Sequence, residues 1–193
     1  MDLTEGAERK KIERAKKMML WFGIVGMVMT FAGLTSAYVV SKTRPDWLSE
    51  FELPSAFYWS TIVIILSSLT IMAAKKSIIS GNRRNASAFL VGTLVLAILF
   101  VVFQFNAFSE IISRGYYFTG SESNITTSFI YIIILVHLAH LFAGIITLLV
   151  VIYNHFKQRY KKGQMLGIEL GATFWHFVDI MWIYLFVFLY FFK

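Results

Sequence analysis

The 193-residue chain lacks cysteine, has only two prolines, and is poor in charged residues. The absence of cysteine excludes disulfides, thiolate metal sites, iron–sulfur clusters and a cysteine nucleophile. Charged residues make up 15% of the chain and hydrophobic residues 58%, whereas soluble domains have about 25% charged residues. A soluble fold of this size cannot bury so much apolar surface, so the composition predicts a membrane protein.

Five apolar stretches are long enough to cross a bilayer, which takes roughly 20 helical residues. They are 18–40, 57–74, 88–109, 129–153 and 171–192. In lipid every backbone polar group needs an internal partner, and the short alternating segments of a barrel are missing. The sequence therefore predicts an all-α integral membrane protein, a bundle of five transmembrane helices over residues 18–193. Residues 1–17 form a basic cytoplasmic segment, of which we expect Glu8–Lys17 to be helical and to lie along the membrane surface.

The positive charge is unevenly distributed between the two sides of this predicted bundle. Of the 18 Lys and Arg residues, 14 lie in the amino-terminal segment and in the second and fourth loops. By the positive-inside rule the amino terminus is cytoplasmic and the carboxyl terminus is outside. The net charge of +7 is then explained by basic residues that set the orientation and contact anionic lipid headgroups. We predict no nucleic-acid partner, because the basic residues are split among three short segments.

A few polar side chains interrupt the predicted spans, where they are costly and usually functional. They are Gln104 and Asn106 in the third span, His137 and His140 in the fourth, and Glu169, His176 and Asp179 in the fifth. Helical spacing places the last three on one stripe and the two histidines on one face. Because the fourth and fifth spans are antiparallel, His140 and Asp179 lie at similar depths, and we expect them to pair. The hydroxyl residues of segment 67–70 and the glycines Gly23, Gly26 and Gly33 are interpreted as close helix packing.

Three interpretations of the stripe remain open from the residues alone: interhelical hydrogen bonding without chemistry, a proton relay, and a haem or metal site. Two histidines one turn apart cannot be the opposite axial ligands of one haem. No third histidine has a clear ligand spacing, and His155 is expected to be solvated in an inner loop. Motifs of hydrolases, phosphate loops and zinc proteases are absent from the sequence.

The fifth span carries a specific resemblance. Residues 174–182, FWHFVDIMW, resemble the YWHFVDxxW signature of subunit III of haem–copper terminal oxidases. Glu169 precedes Trp175 by six residues, as the family's glutamate does. Residues 137–140, HLAH, followed by Gly144, resemble the family's HGxHVxxG segment. Further matches are the SSLT of residues 67–70, Gln104, Phe31 and Tyr38, so the resemblance covers all five spans.

The resemblance implies the five-helix form of this subunit, which lacks the first two helices of the longer form. It implies an accessory chain without catalytic residues, metal or redox cofactor, with haem and copper in partner subunits. The family role is to stabilise the catalytic subunit, support proton uptake and line an oxygen route. Trp175, Trp182, Gly144 and Gln104 would be packing residues of the signature. The chain departs from the family at Met27, where a buried glutamate is usual, and at Ala139, where a glycine is usual.

We therefore expect subunit III of a respiratory cytochrome c oxidase in a prokaryotic plasma membrane. The expected partners are oxidase subunit I, other oxidase subunits and membrane lipids. A bound phospholipid and membership of a respiratory supercomplex are compatible with the resemblance. Three alternatives remain: a quinol oxidase subunit, a small proton-coupled transporter, and a di-histidine b-type cytochrome. The lack of repeated halves and broken helices weighs against the transporter.

Overall fold

The computed structural model of the protein describes residues 3–45, 47–48, 52–120, 124–160 and 165–192. It contains five long α-helices: α1 (Leu3–Ser41), α2 (Ser55–Ile79), α3 (Arg83–Ser113), α4 (Ile125–Phe156) and α5 (Leu166–Phe192). Each of the predicted spans lies inside one of them. In the described part of the chain, these five helices are long and apolar enough to cross a membrane. The prediction of five membrane-spanning helices is confirmed.

The helices extend beyond the predicted spans because polar residues continue them to their caps. The side chain of Asn82 accepts a hydrogen bond from the amide of Asn85 at the start of α3. The side chain of Asn124 accepts one from the amide of Thr127, at 2.9 Å, at the start of α4. Both are preferred N-cap residues. Gly81, with φ +78°, adopts the left-handed conformation that follows many helix ends.

The basic amino-terminal segment is helical, as predicted, but it is not a separate helix. α1 runs without interruption over 39 residues, which corresponds to about 58 Å at 1.5 Å per residue. The basic segment is thus the first part of the helix that contains the first predicted span. The physical reason is local, since Lys, Arg, Glu and Ala are all good helix formers and nothing in residues 8–18 ends the helix.

α5 is one of two helices, with α4, that pack against three others. It packs against α1, α2 and α4, while α2 packs on α3, α3 on α4, and α4 on α1. Within the described residues, α1 and α2 both contact α5 but not each other. The largest fully buried side chains are Trp175 and Trp182 of α5 with Tyr38 and Phe31 of α1. Each face of α5 therefore meets a different neighbour.

Candidate functional site

The hydroxyl residues of α2 accept hydrogen bonds from two neighbouring helices. We call them the α2 hydroxyl ladder: Ser60, Thr61, Ser67, Ser68 and Thr70. The indole of Trp175 donates to Ser67 Oγ at 3.0 Å, and that of Trp182 donates to Thr61 Oγ1 at 3.1 Å. Gln104 of α3 donates through Nε2 to Ser60 Oγ at 3.1 Å. Such bonds hold membrane helices together where the hydrophobic effect does not.

His176 belongs to the same network. Its Nδ1 lies 2.6 Å from Ser68 Oγ, so this histidine bonds α5 to α2. The polar stripe of α5 therefore meets α2 at His176. Spacing along one helix fixes which residues share a face, but not which neighbour that face meets.

Asp179 lies one turn after His176 and is buried, with 1% of its surface exposed. Neither of its carboxylate oxygens has a hydrogen-bond partner among the described residues. Ser68 is the polar side chain facing this carboxyl, although the two do not form a hydrogen bond. An unpartnered carboxyl in the centre of a bundle is costly and calls for an explanation.

The predicted pairing of His140 with Asp179 is not formed. His140 is half-buried, and its Nδ1 donates to the carbonyl of Val136 in its own helix at 2.7 Å. Its ring lies 5.6 Å from the ring of Phe31, so it faces α1. The reason is local: the imidazole donates to its own helix one turn back and packs on Phe31, so α1 and not the Asp179 carboxyl is its neighbour.

His137 is also buried, with 1% of its surface exposed. The rings of Trp182, Phe100 and Phe31 surround it at centroid distances of 5.2, 6.1 and 6.4 Å. Its Nε2 has no hydrogen-bond partner in the described part of the chain. In residues for which the structure gives positions, no group of three His, Cys, Asp or Glu side chains is close enough to hold a metal ion. The environment of His137 is that of an aromatic core.

Glu169, in the first turn of α5, joins this helix to α1. Its carboxylate lies 3.0 Å from the ammonium of Lys17, and both side chains are about half exposed. A cavity of about 210 Å³ adjoins this ion pair and is also lined by Lys75 and Thr173. Exposed pairs contribute only about 0–1 kcal/mol, so this contact adds little to the stability of the bundle.

His155 is another residue for which the sequence expectation is wrong. It lies within α4, only 9% of its surface is exposed, and its Nε2 is 3.0 Å from Ser87 Oγ of α3. Nearby, the hydroxyl of Tyr160 lies against Gly167, where a Cβ would approach it to 3.0 Å. Burial raises the pKa of this tyrosine hydroxyl above its ordinary value. These contacts join the start of α3, the end of α4 and the start of α5.

Ser68, His176 and Asp179 have the residue types of a nucleophilic triad but not its order. In that triad the imidazole lies between the hydroxyl and the carboxylate. Here Ser68 bonds to the imidazole and also faces the carboxyl. The geometry therefore does not activate the hydroxyl as a nucleophile, and it suits hydrogen bonding and proton exchange.

Comparison with known proteins now identifies the bundle. The family described as cytochrome c oxidase subunit III matches residues 4–193. This chain belongs to that family. Its sequence is 31% identical over 147 residues to cytochrome c oxidase subunit 3 of Prototheca wickerhamii, covering 75% of this chain and 52% of the relative. It is 35% identical over 147 residues to that of Trichophyton rubrum, covering 75% and 50%.

The match to cytochrome c oxidase subunit 3 of Oryctolagus cuniculus is longer, with 30% identity over 183 residues, 86% of this chain and 66% of the relative. The chain spans about half the length of the first curated relatives it matches. The resemblance noted in the fifth span is thereby confirmed at the level of the family.

Two of the subunit III signature residues, Trp175 and Gly144, lie in the contact between α4 and α5. Trp175 is buried, and a Cβ on Gly144 would contact its ring at 3.4 Å. One position stands out that the sequence did not indicate: a Cβ on Gly171 would lie 2.7 Å from Val151 Cγ2. By contrast, Gly23, Gly26 and Gly33 have open space around them, so they do not bring helices of this chain together. The glycines that bring helices together are those between α4 and α5.

Proposed function

We propose that this chain is the accessory subunit III of a respiratory haem–copper oxidase that receives electrons from cytochrome c. The observation that carries the proposal is the family match over residues 4–193, which includes all five helices. The structure supports a structural role, because the indole N–H groups of the signature tryptophans donate hydrogen bonds from α5 to hydroxyls of α2. On this proposal the chain has no redox centre, and haem and copper are held by partner subunits.

The proposed role is to stabilise the catalytic subunit and to support its proton uptake and oxygen access. Its partners are oxidase subunit I, the other oxidase subunits and membrane lipids, including a bound phospholipid. We place it in the plasma membrane of a prokaryote, on the resemblance to the five-helix form. Membership of a respiratory supercomplex is a separate proposal. The broad outline, a multi-pass membrane protein of this family, is shown by the comparisons and the helices.

We also propose that the amino terminus faces the cytoplasm. The support is the excess of Lys and Arg in the amino-terminal segment and the second and fourth loops, 14 of 18, under the positive-inside rule. The chain's lack of cysteine makes a clean test available. In intact cells, a membrane-impermeant maleimide should label Thr119→Cys and should label Ser80→Cys only after lysis. The reverse pattern would show the opposite orientation.

Purification in mild detergent tests the assembly proposal. A tagged chain should co-purify with haem-bearing subunits and show their Soret absorption. The chain released from them by harsher detergent should show no Soret band. Recovery of the chain alone from mild detergent would instead favour a transporter, and a Soret band on the released chain would favour a b-type cytochrome.

A further inference from the structure

Asp179 is a buried acid that forms no hydrogen bond in the described structure. Its exposed surface is 1%, and both carboxylate oxygens are enclosed and unpartnered. An ionised carboxylate without a donor or a counter-charge is very costly in such surroundings, and the neutral acid is the form they favour. The assembly role gives no use to a protonatable group in this position.

A row of neighbouring polar side chains connects Asp179 to the inner end of the bundle. Ser68 faces the carboxyl, and Ser68 Oγ lies 2.6 Å from Nδ1 of His176. His176 in turn lines a cavity of about 330 Å³, together with Lys75, Lys76 and Thr173. A neighbouring cavity of about 210 Å³ shares Lys75 and Thr173 and reaches the pair of Lys17 and Glu169.

The charged residues around the cavities next to His176 fit a point of proton entry on this side of the bundle. The cavities next to His176 have Lys75 and Lys76 on the α2 wall, Lys17 on the α1 wall and Glu169 on α5. On the α4 side the titratable groups are His137, enclosed by aromatic rings, and His140, which bonds to its own helix. The polar connection of Asp179 therefore runs through α2 and α5.

We propose that Asp179 is a proton-binding site that exchanges its proton with water at the inner end of the bundle through Ser68 and His176. For uptake, a hydronium ion in the cavity protonates the outer nitrogen of His176. The proton on Nδ1 passes to Ser68 Oγ, and the Ser68 hydroxyl proton passes to a carboxylate oxygen of Asp179. One proton enters, one is bound, and imidazole and hydroxyl are restored in the opposite hydrogen-bond orientation. Because no hydrogen bond joins Ser68 to Asp179, the last transfer requires rotation of the hydroxyl or one bridging water.

This inference goes beyond the assembly role and does not depend on it. It concerns side chains of this chain alone, and its readout is a bond vibration and not oxidase activity. A chain that assembled differently from the proposal could still show the exchange, and a correctly assembled subunit could fail to show it.

Infrared difference spectroscopy of the purified protein, with any co-purified subunits, tests the proposal. The wild-type spectrum minus that of Asp179→Asn should show the C=O stretching band of a protonated carboxyl, and ¹³C-labelled aspartate should shift that band in the wild type. On transfer to D₂O the band should shift at least about tenfold faster in the wild type than in Ser68→Ala or His176→Phe. Absence of a protonated-carboxyl band from Asp179, or equal exchange rates in these variants, would overturn the proposal.

Two matched variants separate exchange from general damage to the bundle. Ser68→Thr keeps the hydroxyl and should exchange nearly as fast as the wild type. Ser60→Ala removes a ladder hydroxyl that bonds Gln104 and should leave the exchange rate unchanged. Slow exchange in Ser60→Ala as well would show that loss of packing, and not loss of the path, controls the rate, and the proposal would fail.

Discussion

Replacement of Gly171 by valine should force α5 away from α4 and prevent the subunit from remaining in an assembled complex. A Cβ at this position would lie 2.7 Å from Val151 Cγ2, closer than nonbonded carbon atoms approach one another. Val151 is itself buried. Overpacking of this kind costs about 1–3 kcal/mol, and valine adds two further methyl groups. The measurement is the free energy of unfolding in denaturing detergent, together with the yield of co-purified subunits.

The control for this variant is Gly26→Val. Gly26 lies on α1, is exposed, and a Cβ there meets nothing within 4 Å, so its stability should change little. The second control restores the space: combining Gly171→Val with Val151→Ala should recover part of the lost stability, since the two side chains are in contact. Wild-type stability in Gly171→Val alone would show that α4 and α5 do not pack as described.

Replacement of Trp175 by alanine should destabilise the bundle by about 3–5 kcal/mol, the usual range for a buried tryptophan. The residue is 1% exposed, contacts the Gly144 region of α4 and bonds to Ser67 of α2. Its loss would leave a cavity where three helices meet. Trp21→Ala, with a side chain that is 60% exposed, is the matched control and should change stability by less than about 0.5 kcal/mol.

A double-mutant cycle separates the hydrogen bond of Trp175 from its packing. Trp175→Phe removes the indole donor but keeps an aromatic ring, and Ser67→Ala removes the acceptor. The coupling between them should be about 0.5–1.5 kcal/mol, the net worth of one hydrogen bond. Equal losses in Trp175→Ala and Trp21→Ala would contradict the position of Trp175 at the centre of the bundle.

The length of the apolar stretches predicted all five helices, because a helix that crosses a bilayer needs a minimum run of apolar residues. Few polar residues interrupt these runs in this chain. The same criterion could not place the helix ends, which depend on capping residues such as Asn82 and Asn124. It also could not show that the basic segment continues α1, since polar helix formers give no apolar signal.

For the candidate site, the sequence identified buried polar residues but not their partners. Asp179 and His137 were correctly expected inside the bundle, because few ionisable groups interrupt the spans. Their neighbours depend on the rotation of each helix about its axis, which spacing within one helix does not determine. From the sequence, Ser67, Ser68 and Thr70 of the ladder are interpreted only as packing residues. The reason is that serine and threonine can bond to their own helix, as Thr61 does to the carbonyl of Phe57. Gly171 was missed because its importance depends on Val151 across the interface.

The most direct test of the central claim is mass spectrometry of the intact complex that co-purifies with this chain, recorded under native conditions and again after dissociation. We expect the intact mass to include this chain and a larger subunit that carries haem and copper, and dissociation to release the chain as bare polypeptide, with or without lipid. An intact mass equal to this chain alone or to multiples of it, or haem retained by the released chain, would contradict its assignment as subunit III of a terminal oxidase.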